Sequence, residues 1–139
     1  MAEFILKDMV QKAGRAADFQ IDSAATSTEE IGNPVYPPAR RKLMEHGLGC
    51  AGKVARRMTG RDYDRYDLII GMDGANLRSI RRICGGDRGN KIRLLLAYAG
   101  EERDVADPWY TRDFEAAWRD IEAGCRGLLR ALGTERMER

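Results

Sequence analysis

Leu68-Ile69-Ile70-Gly71-Met72, followed at once by DGANLRSIRRICGG (73–86) and then by IRLLLAY (92–98), is the stretch that decides the architecture. The first five residues are apolar without alternation, the pattern of a strand buried on both faces of a parallel sheet. In the next segment Leu77, Ile80, Ile83 and Cys84 share one helical face, and the Gly85-Gly86 pair supplies a stop. IRLLLAY is again short, bounded and apolar, so Ile92 to Tyr98 reads as the next strand. Strand, helix, strand with a helical crossover is the repeating unit of an α/β sheet.

Working outward, Arg112 to Leu132 carries Phe114, Trp118, Ile121, Cys125, Leu128, Leu129 and Leu132 at steps of mostly three or four, an amphipathic helix. Toward the amino terminus, Phe4, Ile5, Met9 and Val10 make a one-sided stripe over Glu3 to Ala13, ended by Gly14. Phe19 to Thr26 reads as a third strand, and PARRKLMEHG as a short helix with Pro38 at its first position and Gly47 at its end. The expected fold is therefore a doubly wound parallel sheet of three strands with four or more helices, in a single domain over residues 1–139. An open α/β sheet normally begins with a strand feeding a glycine-rich loop and the first helix. This sequence opens on the helix.

Composition narrows the function. With 24 basic against 22 acidic residues and a formal charge of +2, no strong pull toward nucleic acid or an anionic membrane is implied. Hydrophobic residues at 43% and charged residues at 33% fit a soluble globular chain. The three cysteines Cys50, Cys84 and Cys125 are odd in number and widely spaced, which disfavours a disulfide framework and a zinc site and suits a reducing cytoplasm. The opening MAEFILKDMVQKAG has no sustained apolar run, so it reads as neither signal peptide nor membrane span.

Several segments resemble, in order, the low-molecular-weight protein tyrosine phosphatases: MAEFILKDMV, IDSAATSTEEIGNPVYPPAR, the His46-Gly47 pair, KVARRMT, YDLIIGMD with Asn76, and DPWYTRDFEAAW. The resemblance spans nearly the whole chain. It implies phosphotyrosine phosphomonoester hydrolysis through a cysteinyl-phosphate, on a phosphotyrosine protein or a small aryl phosphate, with no cofactor and no metal. The family's opening is a central strand followed by a Cys-x5-Arg-Ser phosphate loop. Residues 1–139 pick up beyond it, so roughly a dozen residues or more, about one strand and its loop, are expected to be absent. The chain as given is then expected to be inactive, with a non-catalytic pseudophosphatase or scaffold as the alternative, and open to self-association through exposed sheet edges.

The site residues implied by the resemblance follow position by position. Asp107 of Asp107-Pro108-Trp109-Tyr110 matches the general acid, which protonates the leaving phenolate and then deprotonates water. Trp109 and Tyr110 match aromatics flanking the substrate ring, and Glu29 aligns with the opposite wall, often aromatic in relatives. Lys53 stands where many members place a histidine that supports the phosphate loop. Ser23 and Asp73, each at a strand's end, are loop-support candidates; Asp73 is equally placed to cap the helix containing Asn76. An arginine phosphatase is a third reading, against which the Trp109-Tyr110 pair argues.

Cys50-Ala-Gly-Lys-Val-Ala-Arg56 fits Cys-x5-Arg literally, but LMEHGLG before it is a helix end and turn, not a strand. Cys84 and Cys125 read as packing residues. His46 reads as a helix-end cap.

Overall fold

A computed structural model describes residues 1–26, 37–50, 56–106 and 113–133. Helix α1 runs over Ala2–Lys12, α2 over Pro37–Glu45, α3 over Gly60–Arg65, α4 over Gly74–Cys84 and α5 over Phe114–Ala131. Strand β1 is Ile69–Gly71 and β2 is Ile92–Leu94, and a short 3₁₀ helix follows β2 over Leu95–Ala99. The strands pair in parallel, Ile69 with Ile92 and Gly71 with Leu94, and α4 makes the crossover between them.

The unalternated run at β1 is buried from both sides. Ile69 packs with Met58, Ile80 and Ile92, beneath α4 and α3. Its neighbour Ile70, with Met72, packs against the other cluster, built from Ile5, Leu43, Leu95, Leu96, Trp118, Ile121 and Cys125. Successive strand residues point to opposite faces, so the two clusters are the two sides of one sheet, α1 and α5 on one and α4 on the other.

Two of the three expected strands form among the described residues. Phe19 to Thr26 contributes only a single parallel bridge, Ala25 to Arg57. Half of this segment is exposed and none of it is fully buried, and Phe19 and Ile21 are its sole large apolar side chains, too little to fix a pleated face. IRLLLAY is a strand only to Leu94. Leu95 and Leu96 are both buried, at 2% and 0% exposure, against one layer, which a strand's alternation forbids and a 3₁₀ turn permits.

What receives that turn is a notch in α5. A Cβ on Gly124 would overlap the Leu95 side chain, and one on Gly127 would overlap the Tyr98 carbonyl. Gly127→Ala gains about 1 kcal/mol of helix propensity. It must also force backbone away from backbone, at a cost above the usual 1–3 kcal/mol of overpacking. A net loss of about 2 kcal/mol is expected, read as a lower Tm in thermal denaturation. An unchanged or raised Tm would show that the notch is loose.

Helix α3 is too short to announce itself by periodicity. It is set by its first turn, where the Thr59 N–H donates to Asp62 Oδ2 at 2.9 Å.

Candidate active site

At the carboxyl end of β1 the chain turns sharply into α4. Asp73 is the N-cap, its Oδ1 accepting from the Asn76 N–H at 2.7 Å, and Asn76 Oδ1 in turn accepts from the Met72 N–H at 3.1 Å. Capping, one of the two roles open to Asp73, is in place. The turn packs closely on Gly71: a Cβ there would lie 3.0 Å from Leu77 Cδ2 and 3.1 Å from Asn76 Cβ, so both side chains would have to give way by a few tenths of an ångström.

Against this edge lies the segment leading to Asp107, tied at four successive residues. The Arg103 guanidinium donates to both Asp120 oxygens, at 2.8 and 3.0 Å. Asp104 Oδ1 accepts from the Gly74 N–H at 3.0 Å. The Val105 N–H donates to the Met72 carbonyl at 2.9 Å, and the Ala106 N–H to Asp120 Oδ2 at 2.9 Å. The approach to residue 107 is thus held between the carboxyl end of β1, the start of α4 and the flank of α5.

Ser23 is brought to α1. Its Oγ donates to Glu3 Oε1 at 2.5 Å, while Lys7 Nζ lies 2.6 Å from Glu3 Oε2. Sequence reasoning missed Glu3, whose side chain is 4% exposed. The available signal was phase: Glu3 lies seven residues before buried Val10, on the same helical face. Asp107, Trp109, Tyr110, Glu29 and Lys53 lie outside the described residues.

The Cys50–Arg56 pair does not converge on a site. Cys50 is 7% exposed inside the cluster that contains Ile5 and Trp118. Arg56 is engaged elsewhere, donating to the Asp62 oxygens at 3.1 and 3.2 Å. Burial pushes the Cys125 thiol up to about 12, and burial with Asp62 and Asp87 nearby raises Cys84. His46 does more than end α2, because its ring stacks on Trp118 with centroids 3.8 Å apart.

The sequence model of the low molecular weight phosphotyrosine protein phosphatases matches residues 1–138. The chain belongs to this family. Among relatives of this phosphatase family, the Bacillus subtilis protein-tyrosine-phosphatase YfkJ is 35% identical over 138 residues, covering 98% of this chain and 88% of the relative. The phosphotyrosine protein phosphatase of Gallus gallus is 34% identical over 134 residues, covering 93% and 84%. The crystal structure of YfkJ superposes with a TM-score of 0.90 at 34% identity, covering 96% of this chain and 86% of that one. The two-stranded parallel sheet and five helices of the described residues are thus part of an α/β phosphatase fold. No helix among the described residues is long and apolar enough to cross a membrane.

The Arg103 hydrogen bonds hold the Asp120 carboxyl below its ordinary range, against partial burial. Burial pushes Asp62 up but is outweighed by Arg56 and the Thr59 N–H, so it too ends lowered. An unfolded chain takes up these protons near pH 4 while the folded phosphatase does not, so this stabilisation is present above about pH 4 and lost as pH falls further. Thermal denaturation at pH 6 and pH 3 should show a fall in Tm that is smaller by a few degrees in Arg103→Gln. An equal fall in both proteins would remove Asp120 from the acid-sensitive set.

Proposed function

We propose that this fold hydrolyses phosphotyrosine, in a protein or a small aryl phosphate, through a cysteinyl-phosphate when a phosphate loop is supplied, and that residues 1–139 by themselves are inactive. The observation that supports the reading is the fixed run 103–106, which precedes Asp107 in the sequence and is itself held beside the carboxyl end of β1, where α/β sheets bind ligands.

In this reading a loop thiolate attacks phosphorus, and Asp107 gives its proton to the leaving phenolate oxygen. The same carboxylate then takes a proton from the water that attacks the thiophosphate, releasing inorganic phosphate and regenerating the thiolate. Trp109 and Tyr110 flank the aromatic ring and Glu29 stands at the opposite wall. Ser23, anchored on Glu3, and Asp73, anchored in the α4 cap, support the phosphate loop together with Lys53. The setting is cytoplasmic.

None of the cysteines present substitutes for the loop cysteine. Cys50 and Cys125 are buried, and Cys84 ends a helix before Gly85. This favours the second reading for residues 1–139 alone, a pseudophosphatase that binds without turnover. The edge of β1 away from β2 carries no strand among the described residues, so self-association through it belongs to the same reading.

The coding sequence upstream of Met1 separates the two. A strand followed by Cys-x5-Arg-Ser in the same frame supports the phosphatase. Its absence leaves the binding protein.

A further inference from the structure

We propose that Asp120 is the positioning residue for the acid segment: with Arg103 it fastens the backbone immediately ahead of Asp107 to α5 and so sets where the acid is presented. This rests on the reading of Asp107 as the general acid.

Ala106 is the residue before Asp107, and its N–H is taken by Asp120 Oδ2 at 2.9 Å. The same carboxylate receives Arg103 at both oxygens, and Arg103 Nε reaches Glu101 Oε1 at 3.3 Å. The Asp120 side chain is 15% exposed while that of Arg103 is 49% exposed, so the acceptor is the sheltered partner and the guanidinium covers it. A planar guanidinium gripping a carboxylate at two points fixes orientation as well as distance.

Helix stability does not account for an aspartate here. Asp120 sits seven residues into α5, beyond the first turn where a carboxylate favours the helix dipole, and aspartate is a poor helix former in an interior. Its bonds run out of the helix, to residues 103 and 106. Without it the Ala106 N–H, part-buried, loses its acceptor. Asp104 and Val105 would still hold the chain to Gly74 and Met72. The effect is therefore confined to the last residue before the acid, where a displacement of about 1 Å can lower a rate about 10²-fold.

The test is residue-resolved amide hydrogen exchange on residues 1–139, comparing the parent chain with Asp120→Ala, Asp120→Asn and, as a control on the same helix, Glu122→Ala. Exchange at Ala106 should rise at least about tenfold in Asp120→Ala and less in Asp120→Asn, which keeps one acceptor. Val105 should stay within about twofold, and Glu122→Ala should change neither. Unchanged exchange at Ala106, or an equal rise across β1 and α5, overturns the proposal. Should Asp120→Ala not fold, Asp120→Asn carries the same comparison.

A kinetic arm uses the chain extended ahead of Met1 by a strand and Cys-x5-Arg-Ser loop. Phenyl phosphate, whose leaving phenol has a pKa near that of tyrosine, about 10, needs the acid more than para-nitrophenyl phosphate does. Asp120→Ala should lower kcat several-fold more for phenyl phosphate, and equal losses overturn the positioning role. If Asp107→Asn leaves kcat unchanged in that form, the acid reading fails while the exchange result still reports on the clasp.

Discussion

Residues 1–139 given para-nitrophenyl phosphate are expected to release nitrophenol no faster than buffer does, and Cys50→Ser is expected to leave that rate unchanged. Attack on phosphorus needs an exposed thiolate facing a ring of N–H donors and a free guanidinium. Cys50 is packed among Ile5 and Trp118, and Arg56, the guanidinium in its motif, is bound to Asp62 as part of the start of α3. Cys125, buried and pushed up to about 12 by that burial, is held as the neutral thiol at neutral pH. Robust turnover that Cys50→Ser abolishes would mean that the 50–56 stretch rearranges into a working loop, and the reading would have to be abandoned.

Extending the chain ahead of Met1 by a strand and a Cys-x5-Arg-Ser loop is expected to produce turnover, and Asp107→Asn in that form should lower kcat by about 10²–10⁴ with little change in KM. Asparagine fills the same space and can still accept a hydrogen bond, but it has no proton to give the leaving oxygen and cannot deprotonate water. Both halves of the reaction lose their proton carrier. The loss should be larger for phenyl phosphate than for para-nitrophenyl phosphate. A variant that retains most of its kcat on both substrates would relocate the acid away from Asp107.

Which parts of the molecule could be read directly depended on whether local pattern and tertiary packing agreed. At β1 and α4 they agree: the apolar run, the Asp73 cap and the Leu77–Ile80 face are all local signals, and each is realised. The last helix was legible from its period, with ends at Phe114 and Ala131 set by the Asp113 cap and the turn after Ala131. IRLLLAY was not, because a short apolar run suits strand and buried helix alike, and the deciding contact lies about thirty residues away at Gly124 and Gly127. Those glycines read as weaknesses in a helix; their function appears only with the partner in place. Glu3, Asp120 and Arg103 were hidden for a related reason. A charged residue in a helix or loop reads as solvated surface until the fold supplies its counterpart, here Ser23 and Lys7 for Glu3, and the Ala106 N–H for the Asp120–Arg103 pair. The resemblance supplied Asp107, but nothing in the order of residues said what holds the chain ahead of it.

The notch at Gly124 and Gly127 bears on how firmly Asp120 is held in place. A helix seated on ordinary side chains can slide by a fraction of a turn, the small translation by which many enzymes close. Helix α5 is keyed instead, with the Tyr98 carbonyl and the Leu95 side chain occupying the space where two Cβ atoms would be. Asp120 stands one turn ahead of the first of these glycines on the same rigid rod. The point at which Arg103 and Ala106 are anchored is therefore stationary relative to the turn that carries Leu95 and Tyr98, so residues 103–106 are held to a fixed post and not to a sliding one.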